Sequence, residues 1–481
     1  MLTTFLYQHI VHSLPFTPNS GQQELIRKLC SFLTLESAAP TFVLRGYAGT
    51  GKSSIVGALV KSLGHLNRKV VLLAPTGRAA KVIAAYSGKQ AYTIHKKIYR
   101  QAQAGFGRFF LSDNLHKHTL FIVDEASMIS DVTSFDSPFG SGNLLKDLVQ
   151  YVFSGADCRL LLLGDTAQLP PVGQKGAPAL DDSTLRQLGL DVSSHLLTEV
   201  ARQALDSGIL ANATHIRSCL TNGQIDLMPT FTLCGYNDIC HLSVNDFTET
   251  LERCYGRDGV EETVILTRTN RRTNMYNNGI RASILLREDE LSTGDRLMVV
   301  RNNYSYSISS HSNDQNGSEQ TNEETDFIAN GDLFTMRRLR NTREMYGLQF
   351  ADAILTSDDY ENEVEAIVCL NTLYTETPEE NNILWSNLFT QIAADYPEIR
   401  NKKELREKVM ESPYYNALHI RFAYAVTCHK AQGGQWQNVF IDPGMVSDDR
   451  LGEEFYRWLY TALTRAVKRV YLIGFPTSSP S

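Results

Sequence analysis

The chain has 481 residues, 42% of them hydrophobic and 21% charged, enough for a large buried core spread over about three domains. Its net charge of -7 excludes a histone-like coat on nucleic acid but leaves room for a local basic groove that grips a strand. No apolar run approaches the roughly 20 residues of a membrane span, no signal peptide is legible, and the eight cysteines contain no C-x-x-C pair, so we expect a soluble cytoplasmic protein without zinc.

Asn19-Ser20-Gly21 reads as a turn before a helix, with Leu25, Ile26, Leu29 and Phe32 at helical spacing. Short continuous apolar runs follow at Thr41 to Arg45, Val70 to Leu73, Leu120 to Val123 and Leu160 to Leu163, with a helix expected over Ser54 to Leu63. Four such runs, each followed by a polar loop, indicate a parallel sheet covered by helices. Ligands of such sheets collect at the carboxyl ends of the strands, where all four loops lie. A second α/β set begins near Leu196, with strands at Val264 to Thr267, Ala423 to Thr427, Val439 to Asp442 and Arg469 to Ile473, and a helix over Arg271 to Ile284. Different material interrupts it. Gly294 to Val300, Ile328 to Arg338 and Glu361 to Val368 read as strands of a small β unit, Leu384 to Tyr396 as a helix, and Ser305 to Thr325 as a mobile polar loop.

Gly46-Tyr47-Ala48-Gly49-Thr50-Gly51-Lys52-Ser53 matches G-x-x-x-x-G-K-[ST], with a strand before it and a helix after it. The glycines let backbone N–H groups curve around phosphate oxygens. Lys52 then reaches the β and γ phosphates of ATP, and the Ser53 hydroxyl ligates Mg²⁺. Asp124-Glu125 follows the third apolar run and divides two jobs: Asp124 holds hydrated Mg²⁺, and Glu125 orients or deprotonates the attacking water. Asp165 and Gln168, after the fourth run, are placed to report the γ phosphate. Positive charge on the transferring group can come from Arg202 or Arg465. Gln22, with Gln23 adjacent, can read the adenine edge.

In this order the segments resemble a superfamily 1B DNA helicase of the RecD-like and Dda-like branch, from Gln22 to Arg465. In the resemblance, Gly49, Thr50, Gly51, Lys52 and Ser53 form the phosphate loop, and Ala74-Pro75-Thr76-Gly77-Arg78 and Thr93-Ile94-His95 are strand-binding motifs. Arg202 and Gln203 sense phosphate. Thr427-Cys428-His429-Lys430 through Gly434 touches strand and nucleotide, and Tyr460 to Ala466 carries the phosphate-facing Arg465. The strand set is therefore Pro75, Thr76, Arg78, Thr93, His95, Thr427, His429 and Lys430, and Gly434 belongs with the nucleotide.

The fold this implies is α/β: two RecA-like P-loop motor domains with a short wedge insertion and an SH3-like β-barrel insertion. The expected limits are 1–195 for the first motor, 196–292 with 419–481 for the second, and 293–418 for the barrel with its added helix. The wedge is expected at about 100–118, where Phe109 and Phe110 make either its apolar tip or a small core contact. The implied activity is 5′-to-3′ translocation and unwinding. Its partners are single-stranded DNA and duplex junctions, with no membrane partner, and the chain is able to act as a monomer. Two alternatives stay open: an RNA helicase, since the phosphate track does not read the sugar, and an ATP-dependent clamp that does not unwind.

Overall fold

The structure, a computed structural model, describes residues 2–101, 109–134, 137–200, 206–306, 327–357, 363–446 and 451–475. The chain divides into two compact units: Met1–Arg100 with Phe109–Val244 and Ala431–Ser481, and Gln101–Arg108 with Asn245–Lys430.

The first unit opens with helices α1 (Leu2–Ser13) and α2 (Ser20–Phe32). Asn19 starts α2 with a reciprocal cap, its side chain accepting from the Gln22 N–H while the Gln22 side chain accepts from the Asn19 N–H. Leu25, Ile26, Leu29 and Phe32 fall on one buried face, as their spacing requires. There follow β1 (Pro40–Gly46), α3 (Lys52–His65), β2 (Lys69–Ala74), α4 (Gly77–Ser87), β3 (Ala91–Thr93), β4 (Tyr99–Gln101), β5 (Phe109–Leu111), β6 (Thr119–Val123), β7 (Arg159–Gly164) and β8 (Asp191–Leu197).

Six of these strands make one sheet in the order β3-β2-β6-β7-β1-β8, with parallel pairing throughout. The four expected strands occupy its centre, where burial on both faces demands unbroken apolar runs. β3 and β8 form its edges. β3 has three residues, and β8 carries Ser193, Ser194 and His195, so neither presents such a run. Leu44, Leu72, Ile122 and Leu161 pack beneath α1 to α3 with Leu6, Ile10, Leu29 and Leu59. The same unit contains a parallel set, Ile239–Leu242 beside Ala466–Ile473 beside Trp436–Asp442, and the mutually packed helices Gly208–Asn222 and Glu453–Leu463.

In the second unit Thr263–Thr267 pairs in parallel with Ala425–Thr427. The strands Arg296–Val299, Leu333–Met345, Leu348–Ser357, Glu363–Cys369 and Leu418–Phe422 close a five-stranded barrel. Helices Pro378–Ala394 and Lys402–Glu411 cover one flank of it through Trp385, Leu388, Ile392 and Val409, against Leu348, Phe350 and Ala417. The helix expected over 271–284 runs as Asn270–Gly279 and continues as a π-helix over Ile280–Ile284. The expected polar loop at 305–325 lies almost wholly outside the described residues. Among the described residues no helix is long and apolar enough to cross a membrane.

Candidate nucleotide site and strand-facing residues

The loop between β1 and α3 turns through Gly49 at φ 74° and Gly51 at φ 87°, a region that side chains disfavour. Thr50 is wholly buried and its hydroxyl donates to the Tyr47 carbonyl at 2.8 Å, which fixes the curl. The Lys52 ammonium folds back over the loop and donates to the carbonyls of Gly46 and Tyr47. Gln22 is engaged at both ends of its amide: Nε2 donates to the Thr50 carbonyl at 3.0 Å, and Oε1 accepts from the Asn19 N–H at 3.0 Å. It thus ties the start of α2 to the phosphate loop, and contact with an adenine edge would replace the Thr50 bond. Gln23 instead donates to the Pro18 carbonyl.

Asp124 and Glu125 leave the end of β6 beside this loop. Asp124 Oδ1 accepts from the Glu125 N–H at 2.8 Å, and Oδ2 accepts from the Tyr86 hydroxyl at 2.7 Å. Glu125 has φ 50°, the left-handed region, and burial raises its carboxyl above the ordinary range even though the Arg465 guanidinium, 3.7 Å away, opposes the shift. Arg465 is buried and held by the carbonyls of Thr461 and Gly434 and the Thr464 hydroxyl, so its cation is aimed by the Gly434 backbone.

The loop after β7 is gripped by the Glu453–Leu463 helix. The Tyr460 hydroxyl donates to Asp165 Oδ2 at 2.6 Å and accepts from the Ala48 N–H of the phosphate loop at 2.9 Å. Arg457 donates to the carbonyls of Thr166 and Gln168, and the Thr461 hydroxyl accepts from the Leu169 N–H. Gln432 donates to the Leu169 carbonyl at 2.7 Å. Gln168 is buried, and its Oε1 has no hydrogen-bond partner among the described residues. A buried orphan acceptor beside a phosphate loop suits a ligand or water that completes it.

The donor set fits Mg²⁺: a hydroxyl and a carboxylate, both hard oxygens, with the remaining positions left to water and phosphate. Among the described residues no group of three or more His, Cys, Asp or Glu could hold a metal ion.

The first unit thus brings together Gln22, Gly49 to Ser53, Asp124, Glu125, Asp165, Gln168, Gly434 and Arg465. It also carries Pro75, Thr76, Arg78, Thr93 and His95. Thr76 caps α4 and Thr93 caps the Ile94–Ile98 turn, each hydroxyl accepting a backbone N–H at 3.2 Å. Arg78 stacks on the Trp436 ring at 3.8 Å and donates to the Gln435 carbonyl, so its charge is already partly engaged. His95 lies among Tyr99 and Phe139, and burial pushes its imidazole down to about 4, so it is neutral near pH 7. Thr427, His429 and Lys430 belong to the second unit, where Lys430 donates to Asn330. Arg202 and Gln203 lie outside the described residues. β4 and β5 pair as a two-stranded ribbon; Phe109 is buried against Phe139 while Phe110 is 55% exposed. Residues 102–108 between them lie outside the description.

An AAA-domain family model matches residues 17–228, and a UvrD-like helicase C-terminal domain model matches residues 422–473. The chain is 34% identical over 199 residues to the ATP-dependent RecD2 DNA helicase of Deinococcus radiodurans, covering 41% of this chain and 24% of that one. The chain is thus similar to an AAA domain over its N-terminal part and to a UvrD-like helicase C-terminal domain near its other end. It spans about a quarter of the length of that RecD2 relative. An uncharacterised protein of Acanthamoeba polyphaga mimivirus is 25% identical over 94% of this chain and 99% of its own. Among solved structures, Pif1 of Bacteroides in complex with ADP-AlF3 and ssDNA has 14% identity and a TM-score of 0.46, covering 96% of this chain and 94% of that one. Pif1 of Candida albicans has 17% identity and a TM-score of 0.45, covering 96% and 95%.

The sequence motifs mark Lys52, Asp124, Glu125 and Arg465 but not Tyr460, Arg457 or Tyr86, which the structure adds to the site. Tyr460 stands inside a motif that draws attention only to Arg465. Arg457 is one helical turn earlier, on a helix whose acidic first turn and buried face give it no special mark. Tyr86 ends the helix that begins at the Thr76 motif, and nothing in the sequence joins it to Asp124.

Proposed function

We propose that this chain is an ATP-dependent DNA helicase that moves 5′ to 3′ along a single strand, hydrolysing ATP with Mg²⁺ at the Lys52–Glu125–Arg465 site. The observation that carries the reading is the Arg465 guanidinium facing the Glu125 carboxylate at 3.7 Å, beside a phosphate loop whose Ala48 N–H is bonded to Tyr460. Hydrolysis needs a loop for the phosphates, a carboxylate for water and a cation for the charge that develops, and these three converge. In this mechanism Lys52 exchanges its loop carbonyls for phosphate oxygens, Glu125 orients the attacking water, and Arg465 stabilises the transferring group. Bound Mg²⁺, held by Ser53 and Asp124, supplies charge neutralisation on the phosphate oxygens.

Asp165 and Gln168 are assigned to sensing, because their loop is bonded at both ends to the Glu453–Leu463 helix. Arg202 is assigned a second phosphate-sensing role on its motif alone. Pro75, Thr76, Arg78, Thr93, His95, Thr427, His429 and Lys430 are assigned to the strand. Being neutral, His95 would serve by packing or hydrogen bonding and not by charge. The motor lobes are assigned to 1–195 and to 196–292 with 419–481, and the inserted barrel to 293–418; the closed barrel from Arg296 to Phe422 supports that insertion. The ribbon of β4 and β5 is assigned to the wedge, with exposed Phe110 as its described apolar face. Forked DNA is the expected substrate, a monomer the expected working unit and the cytoplasm the expected compartment.

The test is unwinding of forked DNA with either the 5′ or the 3′ tail labelled, with matched RNA forks and Lys52→Ala as control. Unwinding that needs a 5′ tail, and disappears in the Lys52→Ala protein, is expected. RNA forks opened in preference to DNA would move the reading to an RNA helicase. Strand-stimulated ATP turnover without displacement would leave a clamp. ATP turnover indifferent to every single strand tested would end the motor reading.

A further inference from the structure

We propose that Tyr86 is a positioning residue of the metal–nucleotide site, its hydroxyl holding the Asp124 carboxylate in place; this rests on the Mg²⁺–ATP reading above. Thr76, assigned above to the strand, caps the start of α4, and the helix ends beside the phosphate-loop helix α3. The contact there is unusually close. A Cβ built on Gly57 of α3 would come within 2.8 Å of the Tyr86 carbonyl oxygen, so only glycine admits the end of α4 at this distance.

With its backbone held against α3, the Tyr86 side chain reaches Asp124 Oδ2 at 2.7 Å. The other Asp124 oxygen accepts from the Glu125 N–H at 2.8 Å. Each oxygen of Asp124 therefore has one fixed donor, and the carboxylate cannot rotate without breaking both bonds. A hydroxyl that orients a carboxylate from behind belongs to the outer layer of a metal site, where such partners set ligand direction and affinity. Tyr86 lies in the last turn of α4, whose first turn is capped by Thr76.

The experiment titrates Mg²⁺ against binding of a fluorescent ADP analogue to the full chain, comparing wild type, Tyr86→Phe, Tyr86→Leu and Asp124→Asn, with thermal melts as a fold check. Tyr86→Phe keeps the ring and removes only the hydroxyl. It is expected to raise the half-saturating Mg²⁺ concentration by about 10-fold or more, while affinity measured in EDTA stays within about twofold. In ATP turnover the same variant should need more Mg²⁺ for half-maximal rate and recover most of its kcat when Mg²⁺ saturates. An unchanged or lower Mg²⁺ requirement in Tyr86→Phe overturns the proposal, the lower value because the hydroxyl would then compete with the ion. Loss of the response in Tyr86→Leu alone overturns it too, since ring packing would be the cause. Asp124→Asn separates the two levels. If it titrates like wild type, the ion assignment itself fails and the proposal with it; if it loses the Mg²⁺ response while Tyr86→Phe does not, only the role of Tyr86 fails.

Discussion

Glu125, half-buried at the phosphate loop, and Asp295, fully buried at the root of the barrel, are both carboxylates beside arginines, and the protein treats them in opposite ways. Asp295 is fully buried and saturated: Arg281 reaches both oxygens at 3.0 and 3.1 Å, Arg287 pairs with it, and the Tyr424 hydroxyl and the Ser292 N–H each donate at 2.7 Å. Glu125 has the Arg465 guanidinium at 3.7 Å, also feels the Lys52 charge, and has a backbone in the left-handed region that costs about 1–3 kcal/mol for a residue with a side chain. A satisfied carboxylate fixes geometry. An underserved one keeps lone pairs for a water, and its raised proton affinity makes it a better base. The difference lies in the donors around each acid, since the acids themselves are chemically alike.

The comparison breaks most visibly if Glu125→Gln keeps its activity. That variant should lose about 10²–10⁴-fold in strand-stimulated kcat, read by phosphate release. Its stability should move the other way. A carboxyl whose folded pKa is raised weakens the fold as pH climbs above the unfolded value, so removing the charge relieves that cost at pH 7. The melting temperature should equal or exceed that of wild type, and Arg465 keeps three other acceptors. A clear drop in melting temperature would mean that Glu125 is structural after all. Asp295→Asn should show the reverse, with ATP turnover per folded molecule retained and unfolding free energy reduced by about 3–5 kcal/mol, because two arginines lose their buried counter-charge. A urea midpoint within error of wild type would remove Asp295 from the structural side of the comparison.

How much of this was legible follows the same division. Unbroken apolar runs marked the four central strands because burial on both faces leaves no room for alternation, and the phosphate loop and the Asp124-Glu125 pair stood at their ends. The barrel was half legible. Leu348–Ser357 alternates along one buried face, yet Asp352 in its middle obscured a strand that the closed sheet requires. The donors were not legible. Tyr460 meets Asp165 across 295 positions of sequence, and Arg287 meets Tyr424 across 137, and no local period encodes such a meeting. Charged motif residues announce themselves by type; the neutral hydroxyls and carbonyls that aim them do not.

His95 extends the comparison to a half-buried base, with the smallest expected effect. Its motif places it on a charged strand track, and the structure surrounds it with Tyr99, Phe139 and the Asp147 carboxylate. Burial lowers its imidazole to about 4, and the nearby Asp147 opposes that shift without overcoming it. The unfolded chain takes up this proton near pH 6.5 and the folded chain only near 4, so between those values the unfolded state binds more protons and stability falls as pH falls. The loss across that window is at most about 3 kcal/mol. His95→Phe keeps an aromatic ring in the cluster and removes the titration, so its urea midpoint should fall less than that of wild type from pH 6.5 to pH 4. Other histidines titrate equally in both proteins, which leaves the difference to His95. Parallel profiles would mean that its ring reaches solvent and can carry charge, and the cationic strand contact that the sequence suggests would then be restored.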